Sequence, residues 1–237
     1  MNKRLLITAT TAGLLGGSML LGLPAASAHP SSPPGQAKTV QLDASLHELN
    51  DSGATGTASA VVRNQLIRSI EVQAQGLSPD APHAMHIHYG DDARNECPTT
   101  ADATNTRGEA GTSRLSTVDG LPAYGPIVVS LTTTGDTSPA SALAVSRFPV
   151  STDGALHYSR DKIEFTDVAG TGYPGAGGTG TAKQIADAIR DGEGVVVIHG
   201  VDYNHNGRYD FASAGASELD PSLPAEATDP AACGVLR

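Results

Sequence analysis

The sequence is poor in aromatic and basic residues. Its 237 residues include no tryptophan, three phenylalanines and six tyrosines, and 15 Lys and Arg stand against 25 Asp and Glu, a formal net charge of −10. Proteins that bind nucleic acid or anionic membranes need basic patches, so this balance argues against both as partners. The G-x-S-x-G, P-loop and H-E-x-x-H patterns are also absent, which excludes the enzyme classes that they mark.

Only one apolar run is long, and it stands at the N-terminus. A basic start and an apolar stretch over Leu5–Leu23 are followed by small residues at 26–28. This pattern predicts a secretory signal peptide over residues 1–28. A membrane anchor is the alternative, but the stretch is barely long enough and is interrupted by small polar residues. We therefore expect a secreted protein, extracellular or in the cell envelope, with no membrane span in its mature form.

The rest of the chain divides into a short linker and one domain. Residues 29–38 are rich in Pro and Ser, which predicts an extended linker, and residues 39–237 have about the length of one domain. Lys3 and Arg4 belong to the predicted signal peptide, so residues 29–237 keep 13 basic and 25 acidic residues, a formal charge of −12. A small molecule or an ion is the ligand class that suits this chain. Nothing in the pattern indicates an oligomeric state.

Apolar and polar residues alternate with a period of two in much of the domain, as at Val40, Leu42, Ala44 and Leu46. Strands are predicted over 39–46, 55–63, 70–74, 84–89, 127–132 and 195–198, with a hairpin or edge strand over 156–165. Short strands with turn-rich connections predict an all-β fold, an antiparallel Greek-key sandwich or barrel with long loops and one short helix.

The helix is predicted over 181–190, where Thr179 or Thr181 can cap its N-terminus and Ile185 and Ile189 lie on one face. Three other segments are expected to lack regular structure. They are a long ordered loop or insertion over 90–126, a flexible turn over 170–178 and a loop-like tail from residue 212.

Two cysteines, Cys97 and Cys233, are present. An even number of cysteines in an exported chain predicts a disulfide. The bridge would close a loop of about 136 residues, for which chain entropy sets a ceiling of about 5 kcal/mol of stabilisation. The alternative is a pair of unbonded, buried thiols.

Three histidines have the spacing of a metal site. His86 and His88 stand at i and i+2 of a predicted strand, so their side chains share one face. His199 ends an apolar strand that is expected to be central in the sheet. Three imidazoles without a thiolate suit copper or zinc. The alternative is that these histidines are exposed or make only hydrogen bonds.

The other histidines are weaker candidates. His83 is expected to lie on the surface or to make hydrogen bonds, because it points away from His86 in a regular strand. His157 is a candidate fourth ligand but is better explained as an exposed hairpin residue, and His47 falls on the polar face of its strand. His29 would begin the mature chain, where its amine and imidazole could chelate copper.

A candidate calcium loop follows His199. Oxygen-bearing side chains stand at alternate positions, with Gly207 at the sixth, as in the first part of an EF-hand loop. The candidate ligands are Asp202, Asn204, Asn206 and Asp210. Ser213 occupies the twelfth position, where a bidentate Glu is expected, so an Asn-Gly turn held by side-chain hydrogen bonds is the favoured alternative.

The order of these features resembles the copper,zinc superoxide dismutases. The matching segments are H-I-H at 86–88, the cysteine at 97, V-V-I-H at 196–199 and A-C-G-V at 232–235. The resemblance implies an eight-stranded Greek-key barrel, copper bound by His86, His88 and His199, and a Cys97–Cys233 bridge. Residues 125–136 are also similar to CHRD-type domains of secreted bacterial proteins, whose functions are poorly assigned.

The chain departs from the dismutase pattern at two places. The family has a bridging histidine and a zinc loop, but here only His157 lies between Cys97 and His199. The family also has an arginine three residues before the second cysteine, where this chain has Pro230. The resemblance therefore implies a copper-binding protein. Superoxide or other redox activity is expected only if this altered site is active. The alternative is a CHRD-like extracellular structural or binding module without catalysis.

Overall fold

The computed structural model describes residues 39–104, 114–168 and 180–237, and the predicted signal peptide, linker 29–38, turn 170–178 and cap Thr179 lie outside them. The described residues form mostly β-structure. The strands are β1 (Thr39–Glu48), β2 (Thr55–Arg63), β3 (Leu66–Gln75), β4 (Met85–His88), β5 (Ile127–Ser130), β6 (Leu156–Glu164), β7 (Val195–His199) and β8 (Pro230–Val235). The α-helices are α1 (Thr117–Tyr124), α2 (Ala182–Arg190) and α3 (Ala225–Thr228).

The eight strands form one antiparallel sheet in the order β5-β4-β7-β8-β1-β2-β3-β6. The strands β1 to β3 form the predicted meander, and β7 lies between β4 and β8, as its apolar sequence predicts. Among the described strands, β6 pairs with β3 alone and ends the strand order, which agrees with the edge strand of the predicted hairpin or edge strand. The all-β prediction is confirmed, and the Greek-key connection stays a prediction.

The core lies between the two ends of this strand order. One apolar cluster joins Leu42 of β1, Val72 of β3 and Tyr158 of β6 with Ile87 of β4 and Ile198 of β7. Strands that are far apart in the sheet therefore pack against each other, which means that the sheet is curled around the core. The strands β4, β5 and β7 are buried on both faces, so side chains on them are shielded from water.

The helix α2 forms where the sequence predicts a helix, and its apolar face packs on this core. Its cap is Thr181, whose hydroxyl accepts the backbone N–H of Gln184, while the Gln184 side chain accepts the N–H of Thr181. This is a capping box. Ile185 and Ile189 are fully buried in the core. No helix in the described part of the chain is long and apolar enough to cross a membrane.

The prediction of one short helix is wrong, because α1 and α3 lie in segments that were expected to be loops. The helix α1 begins with a capping box between Ser116 and Asp119, a local signal inside the predicted 90–126 loop. The tail from residue 212 is not only loop either, since it contains α3 and β8. The strand β8 forms because the tail pairs with β7 and, through two residues, with β1.

The two cysteines are bonded to each other. The Cys97–Cys233 disulfide joins the loop after β4 to the middle of β8, with 5.7 Å between the Cα atoms. Cys233 is fully buried, and it packs against Val195 and Val197 of β7. The predicted disulfide is therefore confirmed, and the alternative of unbonded thiols is wrong.

Removing this disulfide is expected to lower the stability of the fold. The double variant Cys97→Ser/Cys233→Ser should lose about 2–5 kcal/mol of unfolding free energy, because its unfolded chain regains the freedom of a long loop. Urea denaturation with and without a reductant measures the loss. The reductant should shift the unmodified protein to the midpoint of the variant and leave the variant unchanged. Equal midpoints for both proteins without reductant would contradict this prediction.

Candidate metal centre

Neighbouring strands bring the three predicted histidines together. His86 and His88 lie on one face of β4, and β4 pairs with β7 so that His86 stands opposite Val197. The N–H of His199 donates to the carbonyl of Ala84, 2.8 Å away, just before β4 begins. All three side chains are buried, with at most 2% of their surface exposed. The expectation that they could be surface residues is therefore wrong.

The rings form a tight cluster. The ring centres of His86 and His199 are 5.1 Å apart, those of His86 and His88 are 5.7 Å apart, and those of His88 and His199 are 6.1 Å apart. One nitrogen from each ring lies within 4.8 Å of the other two. The three histidines are therefore close enough to bind one metal ion, and this spacing does not determine which metal.

One nitrogen of each ring donates a hydrogen bond to a backbone carbonyl. His86 Nε2 donates to Ala142 O at 3.1 Å and His88 Nδ1 donates to Gly125 O at 2.8 Å. His199 Nδ1 donates to Thr228 O at 2.6 Å. A neutral imidazole has one N–H, so these bonds set the tautomer and leave the other nitrogen as an acceptor. Ligating histidines in metalloproteins are oriented by the same kind of hydrogen bond.

The other nitrogen of each ring has no hydrogen-bond partner among the described residues. These nitrogens are His86 Nδ1, His88 Nε2 and His199 Nε2, and all three are buried. Buried polar atoms in folded proteins are nearly always satisfied, so three unpaired acceptors in one cluster need an explanation. A metal ion that accepts their lone pairs would satisfy all three at once. The residues present therefore fit a metal ion.

The electrostatics of the cluster also fit a metal ion. Burial, followed by the positive charges that His199 and His88 would carry, lowers the pKa of His86 well below its usual range. Burial and the neighbouring His199 lower the pKa of His88 to about 3, and burial lowers that of His199 to about 4. All three rings are therefore neutral at pH 7, which is the form that binds metals.

The groups that orient the histidines come from segments that the sequence did not mark as functional. The rings of His88 and Tyr124 pack with their centres 4.3 Å apart, and Tyr124 at the end of α1 donates its hydroxyl to Thr117 O. Gly125 follows with φ of +80°, and a Cβ there would lie 2.6 Å from Gly90 N. Only glycine fits this position, so the carbonyl that holds His88 depends on it.

The remaining described histidines lie outside the cluster. His83 is fully buried, with Nδ1 2.9 Å from His199 O and Nε2 3.1 Å from Ser78 O, so the hydrogen-bonding prediction is confirmed and a surface position is wrong. His157 is exposed and pairs with Glu71 at 2.9 Å, as expected for a residue that is not a ligand. His47 is exposed on β1, as predicted. His29 lies outside the described residues.

The candidate calcium loop has the hydrogen bonds of a turn. Asp202 accepts the N–H groups of Asn206 and Gly207 at 3.2 and 2.7 Å. Asn204 also accepts the N–H of Asn206, at 3.1 Å, and the Asn206 amide donates to Asp210 at 2.7 Å. The candidate ligands thus bond to one another and to the loop backbone, which favours the Asn-Gly turn. Calcium binding here stays a prediction.

One acidic residue near this loop was missed by the sequence reasoning. Glu226 of α3 is fully buried, and its carboxylate accepts the N–H groups of Asp210 at 2.7 Å and Tyr203 at 3.2 Å. It therefore ties the loop to α3, the helix whose last residue, Thr228, holds His199. No local pattern marks Glu226, because the partners of its carboxylate are 13 to 23 residues away in sequence.

Comparisons with known proteins assign no family. No family model matches the chain, and no curated protein matches it. The likeness to copper,zinc superoxide dismutases and to CHRD domains therefore depends on the short segments described above.

The buried histidines predict a pH dependence of stability without metal. Their pKa values are lowered in the folded protein and lie near 6.5 in the unfolded chain. Between pH 6.5 and about 4 the unfolded chain binds more protons, so their contribution is complete above pH 6.5 and falls as pH decreases. The loss is about 1.4 kcal/mol per pH unit for each histidine.

Urea titrations between pH 4 and 7.5, in the presence of a chelator, measure this dependence. Other groups titrate in the same range, so the comparison is with the variant His88→Gln. Its stability should fall less steeply with decreasing pH, by about 1.4 kcal/mol per unit. Parallel curves for the two proteins would show that His88 is not held neutral.

Proposed function

We propose that this protein is a secreted, superoxide dismutase-like protein that binds one copper ion through His86, His88 and His199. The observation that carries the proposal is the set of three buried ring nitrogens that have no hydrogen-bond partner in the described part of the chain. The disulfide and the predicted signal peptide support export, because disulfides persist in oxidising compartments.

Copper is favoured over other metals by the chemistry of the donors. Three neutral imidazoles suit copper and zinc, and nitrogen sites bind Cu²⁺ more tightly than Zn²⁺ in the usual order of affinities. The sequence resemblance also assigns copper, not zinc, to these three positions. When bound, copper would supply one-electron redox chemistry at the site.

The protein's own residues would hold and shield the ion. The carbonyls of Gly125, Ala142 and Thr228 orient the three rings, and burial keeps the rings neutral. Phe148 packs edge-on against His86 with ring centres 5.4 Å apart and helps to exclude water. No proton has to leave the site before a metal enters at neutral pH.

Superoxide is a less favourable substrate here than in the family that the chain resembles. The chain has a formal charge of −10, and Pro230 stands where that family carries its guiding arginine. Arg114 does not replace it, because its side chain is buried and pairs with Asp229 at 2.9 Å. Superoxide would therefore approach against the field of the protein.

Copper binding is tested by reconstituting the full chain with Cu²⁺, removing excess metal and measuring copper content and the electron paramagnetic resonance spectrum. We expect one copper per chain and a spectrum with nitrogen splitting from imidazoles. The variants His199→Ala and His88→Gln should each lower the copper affinity by at least about 100-fold. This decrease in affinity is larger than the one expected when only a hydrogen-bond partner that orients a ligand is removed.

His157→Ala is the matched control, because this histidine is exposed and lies outside the cluster. It should bind copper as the unmodified chain does, and circular dichroism shows whether each variant is folded. Substoichiometric copper in the unmodified chain, or full binding by folded His199→Ala, would refute the three-histidine site.

The dismutation rate of the copper-loaded protein should increase with ionic strength. Salt screens the repulsion between an acidic protein and an anionic substrate, so kcat/KM for superoxide should rise between low and physiological salt. Stopped-flow measurements at several salt concentrations give the slope. A rate that falls with added salt would indicate an attractive field and contradict the charge argument.

The second candidate is a non-catalytic, CHRD-like extracellular module. The observation that favours it is that the described residues contain one histidine cluster and no further group of three His, Cys, Asp or Glu side chains close enough for zinc. In this case the histidines would serve only packing and hydrogen bonding. Absence of copper binding, with normal folding of His86→Ala, would support this candidate.

A further inference from the structure

A small cavity beside the histidine cluster is lined mainly by apolar side chains. Its volume is about 60 Å³, and the rings of His86 and His199 form part of its wall. The other lining residues come from the loop before β4, the segment after β5, the loop after β7 and the tail. They are Pro82, Ala84, Ala142, Leu143, Val145, Phe148, Tyr209, Leu219, Leu223, Ala227 and Thr228.

The lining has no permanently charged side chain. It contains no Lys, Arg, Asp or Glu, and all its residues other than His86, His199, Tyr209 and Thr228 are apolar. The polar atoms are largely engaged elsewhere. Thr228 Oγ1 donates to Ser217 Oγ at 2.8 Å, and the Tyr209 hydroxyl lies 3.2 Å from His83 Nδ1. An anion entering the cavity would find no fixed cation and few donors.

The energetics therefore separate small molecules by charge. An ion that leaves water for an apolar cavity without a partner loses most of its hydration, which is costly. An uncharged apolar molecule loses little and gains contacts with the walls. A volume of about 60 Å³ has room for an occupant of a few heavy atoms.

We infer that this cavity binds a small, uncharged, apolar molecule of about the size of dioxygen, in contact with His86 and His199. The cavity selects against small anions. Binding in the cavity does not depend on a metal. That the molecule there meets a metal ion rests on the proposed copper site.

Xenon is the probe, because it is uncharged, apolar and small enough for the cavity. The full chain, without metal and with a chelator, is followed by methyl NMR under increasing xenon pressure. The methyl groups of Ala142, Leu143 and Leu223 should shift to saturation. Val62, buried in β2 far from the lining residues in sequence, serves as the reference methyl. Azide at equal free concentration should leave the cavity methyls unshifted.

Two variants fill the cavity and one serves as control. Ala227→Leu places a larger side chain in the wall, and Val145→Phe does so from a position that is 39% exposed. Either should weaken xenon binding by about tenfold or more, which corresponds to about 1.4 kcal/mol. Ala212→Leu makes the same exchange as Ala227→Leu at an exposed residue outside the lining and should bind xenon normally.

Three results would overturn the inference. They are the absence of saturable xenon shifts in the unmodified chain, azide binding as tightly as xenon, and unchanged xenon binding in the folded filling variants. The copper experiments are separate from this test. A chain that binds xenon but no copper would support the cavity and refute the proposed function. A chain that binds copper but no xenon would support the proposed function and refute the cavity.

Discussion

The candidate metal centre depends on the pairing of β7 with strands on both of its sides. Val197 of β7 stands opposite His86 on β4 and opposite Cys233 on β8. The same pairing brings His199 beside His86 and His88, and it places Cys233 where Cys97 can reach it. The histidine cluster and the disulfide are therefore two results of one strand arrangement, and a shift of β7 by one residue would disrupt both.

In this arrangement, burial determines which partners the histidine nitrogens need. Neutral imidazoles in a dry interior need partners on both nitrogens, and the backbone supplies a carbonyl to one nitrogen of each ring. One nitrogen from each of the three rings lies within 4.8 Å of the other two. A site formed in this way is neutral before a metal binds, so a metal would provide most of its local charge.

The charges around the site differ from those of the family that the chain resembles. The family that the chain resembles has an arginine that guides superoxide, and this chain has Pro230 at that position, at the start of β8. Its buried Arg114 is paired with Asp229. The cavity next to His86 and His199 is apolar. Taken together, an acidic surface and an apolar cavity favour neutral small molecules over anions. The histidine cluster and the cavity beside it therefore differ in what they would bind.

The sequence by itself determined the strands β1 to β7, the helix α2, the disulfide and the identity of the three histidines, but not β8, which forms by pairing with β7 and β1. Alternation with a period of two, a capping residue and residue type are local signals that need no partner. The tertiary structure decided what is non-local. The carbonyls of Gly125, Ala142 and Thr228 carry no side-chain signal, and they lie between 29 and 56 residues from the histidines that they hold. The buried state of the histidines and the apolar cavity likewise exist only once the sheet has curled around its core, because burial is a property of packing and not of sequence.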